Sequence, residues 1–146
     1  MAQIGRRQFL LVATAALILP GAALARPYTP PRGSAERKAI LDALRPRVER
    51  EIGAPVEFVV DTIRIDGDWA FVSVTPQRPG GRPIDWARTK WADAWRADFM
   101  SDVVQTLFRR KGRGWRMVEF AFGPTDVPWW SWKTTYGLPE SFFMGR

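Results

Sequence analysis

The chain contains no cysteine and no histidine. Without cysteine it forms no disulfide, holds no thiolate-bound metal and offers no thiol nucleophile. Without histidine it lacks the side chain that shuttles protons near neutrality, which is also the commonest nitrogen ligand for zinc or haem iron. Serine–histidine triads and histidine-bound dinuclear centres are therefore excluded. No acidic loop has calcium-type spacing, and Pro79-Gly80-Gly81 lacks the lysine and the strand–helix setting of a phosphate-binding loop. No metal ligands and no cofactor are expected. No apolar run reaches the roughly 20 residues that a membrane-spanning helix needs.

What is present is 146 residues, 46% of them hydrophobic and 25% charged, the proportions of one globular domain with room for a processed segment. Residues 1–25 have the layout of a signal peptide. Arg6 and Arg7 supply positive charge, Phe9 to Leu19 is apolar apart from Thr14, Pro20 and Gly21 end any helix, and Ala23-Leu24-Ala25 is a small-x-small cleavage site. An N-terminal core helix is the competing reading, and it leaves the charge order and the cleavage motif unexplained. Cleavage after Ala25 leaves Arg26–Arg146, with 20 basic and 15 acidic residues and a net charge of +5. A domain delivered to the periplasm or secreted without cysteine must stand by packing alone, and a chain near this length can bury about two-thirds of its unfolded surface.

Arg6-Arg7-Gln8-Phe9-Leu10 resembles the twin-arginine export signal, an arginine pair followed by any residue, then Phe and Leu. Gly5 replaces the usual Ser or Thr, and Leu11 stands where Lys is common. The resemblance implies a domain that crosses the membrane already folded; the general secretory route is the alternative.

Residues 26–33 carry three prolines and a glycine and read as an extended leader rather than a packed element. Ser34 is placed to cap a helix, with Glu36 in its first turn. Ile40, Leu41, Leu44 and Val48 follow at helical spacing. Pro46 predicts a kink or a break, with a second short helix ending at Gly53 and Pro55. Val56–Ile65 and Trp69–Thr75, flanking Asp66-Gly67-Asp68, form a predicted hairpin. Phe99–Arg110 and Trp115–Phe122, flanking Lys111 to Gly114, form another. Between them, residues 84–98 fit a half-buried helix or an irregular flap equally well. Thr125 or Asp126 is placed to cap a short turn around Trp129–Trp132. The expected architecture is α+β, one domain over 34–146: a kinked N-terminal helix packed on a curved antiparallel sheet of four to six strands.

Gly67–Val72, Gly114–Arg116 and Gly123–Trp129 resemble segments of small exported bacterial proteins of cystatin-like or nuclear-transport-factor-like architecture. The resemblance implies that fold and carries no catalytic pattern.

Eight tryptophans are the oddest feature of the composition. Trp69 and Trp115 each open a strand after a turn and suit packing across the sheet. Trp129, Trp130 and Trp132 cannot all point inward from one face, so at least one is expected at the surface. They serve either as a platform for a sugar ring, peptide or cationic group or as a lid over the core; the lid is preferred, because small domains need such covers. Arg109, Arg110, Lys111, Arg113 and Arg116 cluster at the second hairpin. Nucleic acid is set aside as a partner for an exported chain, anionic envelope polymers or lipid headgroups suit the patch better, and a solubilising charged turn suits it best. Asp126 and Asp102 are the candidate general bases of an enzyme reading, beside Glu119 and with Tyr136 as hydrogen-bond donor. Asp126, after Gly-Pro-Thr, equally suits a turn.

The leading expectation is a non-enzymatic exported protein that binds an envelope partner, glycan or small ligand through Trp129, Trp130 and Trp132. It has no lasting membrane anchor after cleavage, and its oligomeric state is open. The alternative is a histidine-free acid–base enzyme of isomerase or dehydratase type. That alternative requires an enclosed cavity of about 300 Å³ or more, lined by tryptophan and holding a carboxylate.

Overall fold

Ser34 begins the first helix as its position predicts: its hydroxyl accepts the Arg37 N–H at 3.2 Å, and α1 runs over Ala35–Ile52. The computed structural model describes residues 26–145; the signal-like segment, with Arg6, Arg7, Phe9, Leu10, Ala23 and Ala25, lies outside them. Of the kink or break expected at Pro46, the break with its second short helix does not occur: α1 is one helix of 18 residues with the proline inside it. Leu44 and Val48, on either side of the proline, are both fully buried in the same core. Keeping them there outweighs the roughly 3 kcal/mol that an interior proline costs a helix.

Four strands follow: β1 (Glu57–Asp66), β2 (Trp69–Gln77), β3 (Val104–Lys111) and β4 (Gly114–Phe122). They pair antiparallel in sequence order, an open meander rather than a closed barrel. A helix packed on a four-stranded antiparallel sheet is the α+β class read from the sequence. β3 starts five residues later than expected. The N–H groups of Asp98 and Phe99 are spent on Trp95 and Ala94 at the end of a short helix, Asp98 is left-handed at φ 58°, and Phe99 is 79% exposed.

The sheet is covered on both faces. Ala70, Val72 and Val74 of β2 meet Ile40, Leu44 and Val48 of α1, together with Ile63, Val104 and Phe108. Phe71 and Leu107 point the other way, against Trp132, Phe142 and Phe143. Those three rings belong to α3 (Trp129–Tyr136) and α4 (Glu140–Met144). A central strand covered on both sides is buried along its length, which is why Ala70 to Val74 is an unbroken buried run.

Both outer strands carry a bulge, at Asp61 in β1 and Val118 in β4, which disturbs the free edge against pairing with another chain. The leader is extended but docked. Tyr28 exchanges two backbone hydrogen bonds with Ile65, at 2.9 and 2.8 Å, and Pro30 is buried. The Arg78 guanidinium, at the end of β2, donates to the carbonyls of Ile52, Gly53 and Pro55 at 2.7 to 3.0 Å. It satisfies the carbonyl groups that any helix C-terminus leaves unpaired. Residues 84–98 resolve into a 3₁₀ turn (Trp86–Arg88) and the one-turn helix α2 (Ala92–Arg96). Among the described residues no helix is long and apolar enough to cross a membrane.

Candidate functional site

The three C-terminal tryptophans separate into different roles. Trp132 is 6% exposed and belongs to the core beneath α3, so it has no free face for a ligand. Trp129 stacks on Phe143 at 5.2 Å with the rings 12° apart. Trp130 is 58% exposed, with the Lys133 ammonium 3.6 Å from its ring centre. Two of the three therefore form the lid, and one offers a surface. The aspect of helix geometry that forbade three inward rings also decides which one is left out.

The second aromatic group was not assigned from sequence. Trp86 is buried under the 3₁₀ turn, and Trp95 stacks on it at 4.9 Å and 19°. Trp95 itself is 41% exposed. Its indole is a ridge between two open clefts. One, of about 980 Å³, is walled by Asp98, Ser101, Asp102, Gln105 and Asp126. The other, of about 610 Å³, is walled by Thr75, Gln77, Ile84, Asp85 and Trp86 and shares Trp95 and Asp102 with the first. The wall of the larger cleft is tied together where Ser101 Oγ donates to the Pro124 carbonyl at 2.7 Å and Gly123 N–H donates to Val103 at 2.8 Å.

The structure thus brings Asp102 and Asp126 into one cleft but leaves Tyr136 out of it. The Tyr136 hydroxyl donates to Glu119 at 2.7 Å, and its ring lies 5.1 Å from Trp69. That hydrogen bond to a carboxylate holds the tyrosine proton on and raises its pKa. Asp102 and Asp126 are both exposed. Among the described residues the buried charged side chain is Glu51, not an aspartate, and the space between α1 and the sheet is filled by aliphatic side chains and Phe108. Among the described residues, Asp102 and Asp126 line open clefts rather than the enclosed chamber that the enzyme expectation requires.

The basic hairpin is partly neutralised. Arg110 pairs with Glu36 at 2.8 Å and lies 4.2 Å over Trp115, and Arg109 lies 5.0 Å over Trp69. The Arg110 guanidinium holds the Glu36 carboxyl below its ordinary range. Burial, with the hydrogen bond donated to Glu36, raises Tyr28. Lys111, Arg113 and Arg116 stay exposed with no ion pair among the described residues, as a solubilising turn would have them.

At the C-terminal end of α1 a third cleft, of about 410 Å³, joins Arg47, Glu51, Lys90, Trp91, Phe120 and Phe122. Sequence reasoning missed it, although a signal existed. Glu51 falls on the face that Ile40, Leu44 and Val48 mark as apolar. Among the described residues no group of histidine, cysteine or carboxylate side chains is arranged to hold a metal. Comparison with protein-family models, with curated proteins and with solved structures finds no match for this chain.

Proposed function

We propose that this chain is an exported envelope protein, of cystatin-like or nuclear-transport-factor-like build, that binds a partner, glycan or small ligand at an aromatic surface rather than in an enclosed chamber. The observation that supports the reading is Trp95: an indole backed by a buried indole, with its outer face free between two clefts. A ring held rigid from behind loses little freedom when a ligand covers it. Its face offers apolar area to a sugar ring and attraction to a cation. Gln105 supports the same reading, since its side-chain oxygen, in the wall of the larger cleft, is buried without a hydrogen-bond partner among the described residues. Trp130, on α3, is a separate exposed indole.

Titration with neutral oligosaccharides, and separately with primary amines, followed through the indole N–H resonances, tests the site. The expected result is a shift of the Trp95 signal and at least a tenfold weaker response in Trp95→Ala. A response confined to Trp130 would move the site, and silence from every indole would remove it. For export, the reading expects Arg6-Arg7→Lys-Lys to retain the protein inside the cell. Unchanged export would overturn the twin-arginine route.

The acid–base enzyme is the second reading, because Asp102 and Asp126 share a cleft. Against it, both carboxylates face water, whereas a general base is usually withdrawn from it, and Tyr136 is engaged elsewhere.

A further inference from the structure

The cleft at the end of α1 has a composition that packing alone does not call for. Its floor is a row of rings: Trp91 and Phe122 lie 5.2 Å apart at 28°, and Phe122 and Phe120 lie 6.2 Å apart at 25°. A cation stands at each end of the row, Lys90 with its ammonium 5.5 Å from the Trp91 ring centre and Arg47 with its guanidinium 4.2 Å over Phe120. Between them Glu51, 8% exposed, accepts from Arg47 through Oε1 and from Lys90 through Oε2 at 2.6 Å. Burial works to raise this carboxyl, and the hydrogen bonds from Lys90 and Arg47 outweigh it and hold the group below its ordinary range.

One buried carboxylate needs one cation for neutrality. Here there are two, so the cleft keeps one unit of positive charge in excess beside three roughly parallel rings. The spare capacity is accessible: Lys90 is mostly exposed and gives Glu51 one of its three protons, and Arg47 gives it one of five N–H groups. Both Glu51 oxygens are turned to the cations, which leaves the open side of the cleft to the cations and the rings.

We infer that this cleft binds a small planar organic anion, an aromatic carboxylate whose ring lies along the Trp91–Phe122–Phe120 row and whose carboxylate meets Lys90 and the free N–H groups of Arg47. The volume of about 410 Å³ sits at the low end of small-molecule sites, which suits one or two fused rings rather than a polymer. A neutral ring would gain the stacking and leave the excess charge unmatched, and an organic cation would meet that charge directly. The inference is independent of the Trp95 surface, with which this cleft shares no lining residue.

Equilibrium dialysis of the purified protein against 2-naphthoate, 2-naphthamide and 2-naphthylmethylammonium tests it. The naphthoate is expected to bind at least tenfold tighter than the amide, and the ammonium more weakly than either. Lys90→Gln should weaken naphthoate at least fivefold and leave the amide within twofold, Lys90→Arg should restore naphthoate binding, and Phe120→Leu should weaken both ligands. Should Lys90→Gln fail to fold, the wild-type salt dependence decides: naphthoate affinity falls between low and physiological ionic strength while amide affinity holds. Equal binding of the three probes, no binding of naphthoate, or naphthoate binding indifferent to both Lys90→Gln and salt would overturn the site.

Discussion

Replacing Gly123 by alanine isolates the joint that builds one wall of the larger cleft. Gly123 is buried at the end of β4 with φ 63°, its N–H donates to Val103 at 2.8 Å, and its carbonyl accepts from Ser101 at 3.1 Å. A Cβ there would stand 2.8 Å from Met100 Cε and 3.0 Å from both Met100 Cβ and the Ser101 carbonyl oxygen. The methionine end can swing away, whereas the backbone oxygen cannot. The left-handed conformation costs a non-glycine residue about 1–2 kcal/mol, and overpacking adds about 1–3 kcal/mol. The sum of about 2–5 kcal/mol is a large part of a small domain's stability. It should lower Tm by roughly 8–20 °C in a chain of this size. Two controls separate the contributions. Gly67→Ala has a similar φ of 54° with nothing within 4 Å and should lose only the conformational part. Gly114→Ala has no left-handed φ and meets a single carbonyl at 3.8 Å, so it should stay within about 0.5 kcal/mol. Calorimetry of the three variants gives the order directly. If Gly123→Ala melts no lower than Gly67→Ala, the close approach of β4 to the Met100–Ser101 segment is not as described.

Arg78→Met removes three charge-assisted hydrogen bonds from the end of α1 and should cost about 1.5–3 kcal/mol in urea unfolding; an unchanged midpoint would refute its capping role. Phe108→Ala, in the fully buried core, should cost about 3–5 kcal/mol, against less than about 1 kcal/mol for Trp130→Ala at the surface. Glu36 and Glu51 are held below their ordinary range in the folded state, so they contribute stability above the unfolded carboxylate pKa of about 4.3 that is lost as pH falls through their lowered folded values. Glu36→Gln should flatten the acid limb of a stability–pH curve, and an unaltered limb would contradict the Arg110 pairing.

Elements decided by neighbours in the chain were legible in the sequence. Ser34 caps α1 through a residue three positions on, and Gly67 and Gly112 turn their hairpins with left-handed φ angles. The β-branched and aromatic residues of Trp69–Thr75, after the Asp66-Gly67-Asp68 turn, likewise announce a strand. What depended on distant partners was not legible. Pro46 promised a kink or a break, and no break occurs because burial of Leu44 and Val48 against strands far along the chain holds the helix together. Tyr28 finds its partner 37 residues away, and Arg78 caps a helix that ended 26 residues earlier. The stacking of Trp95 on Trp86 joins a 3₁₀ turn to a one-turn helix nine residues on, both too short for a periodicity to announce. Candidate sites followed the same division. The exposure of one C-terminal tryptophan came from local helix geometry, whereas the pairing of Glu51 with Lys90 required the 84–98 segment to fold back on α1.

Native mass spectrometry of the protein recovered from its own cells is the most direct test of an exported domain that binds at an aromatic surface. The account predicts a polypeptide that begins at Arg26 and is found outside the cytosol, with a bound species that Trp95→Ala fails to retain. A polypeptide that keeps residues 1–25 inside the cell, or the absence of any bound species that Trp95→Ala loses, would contradict it.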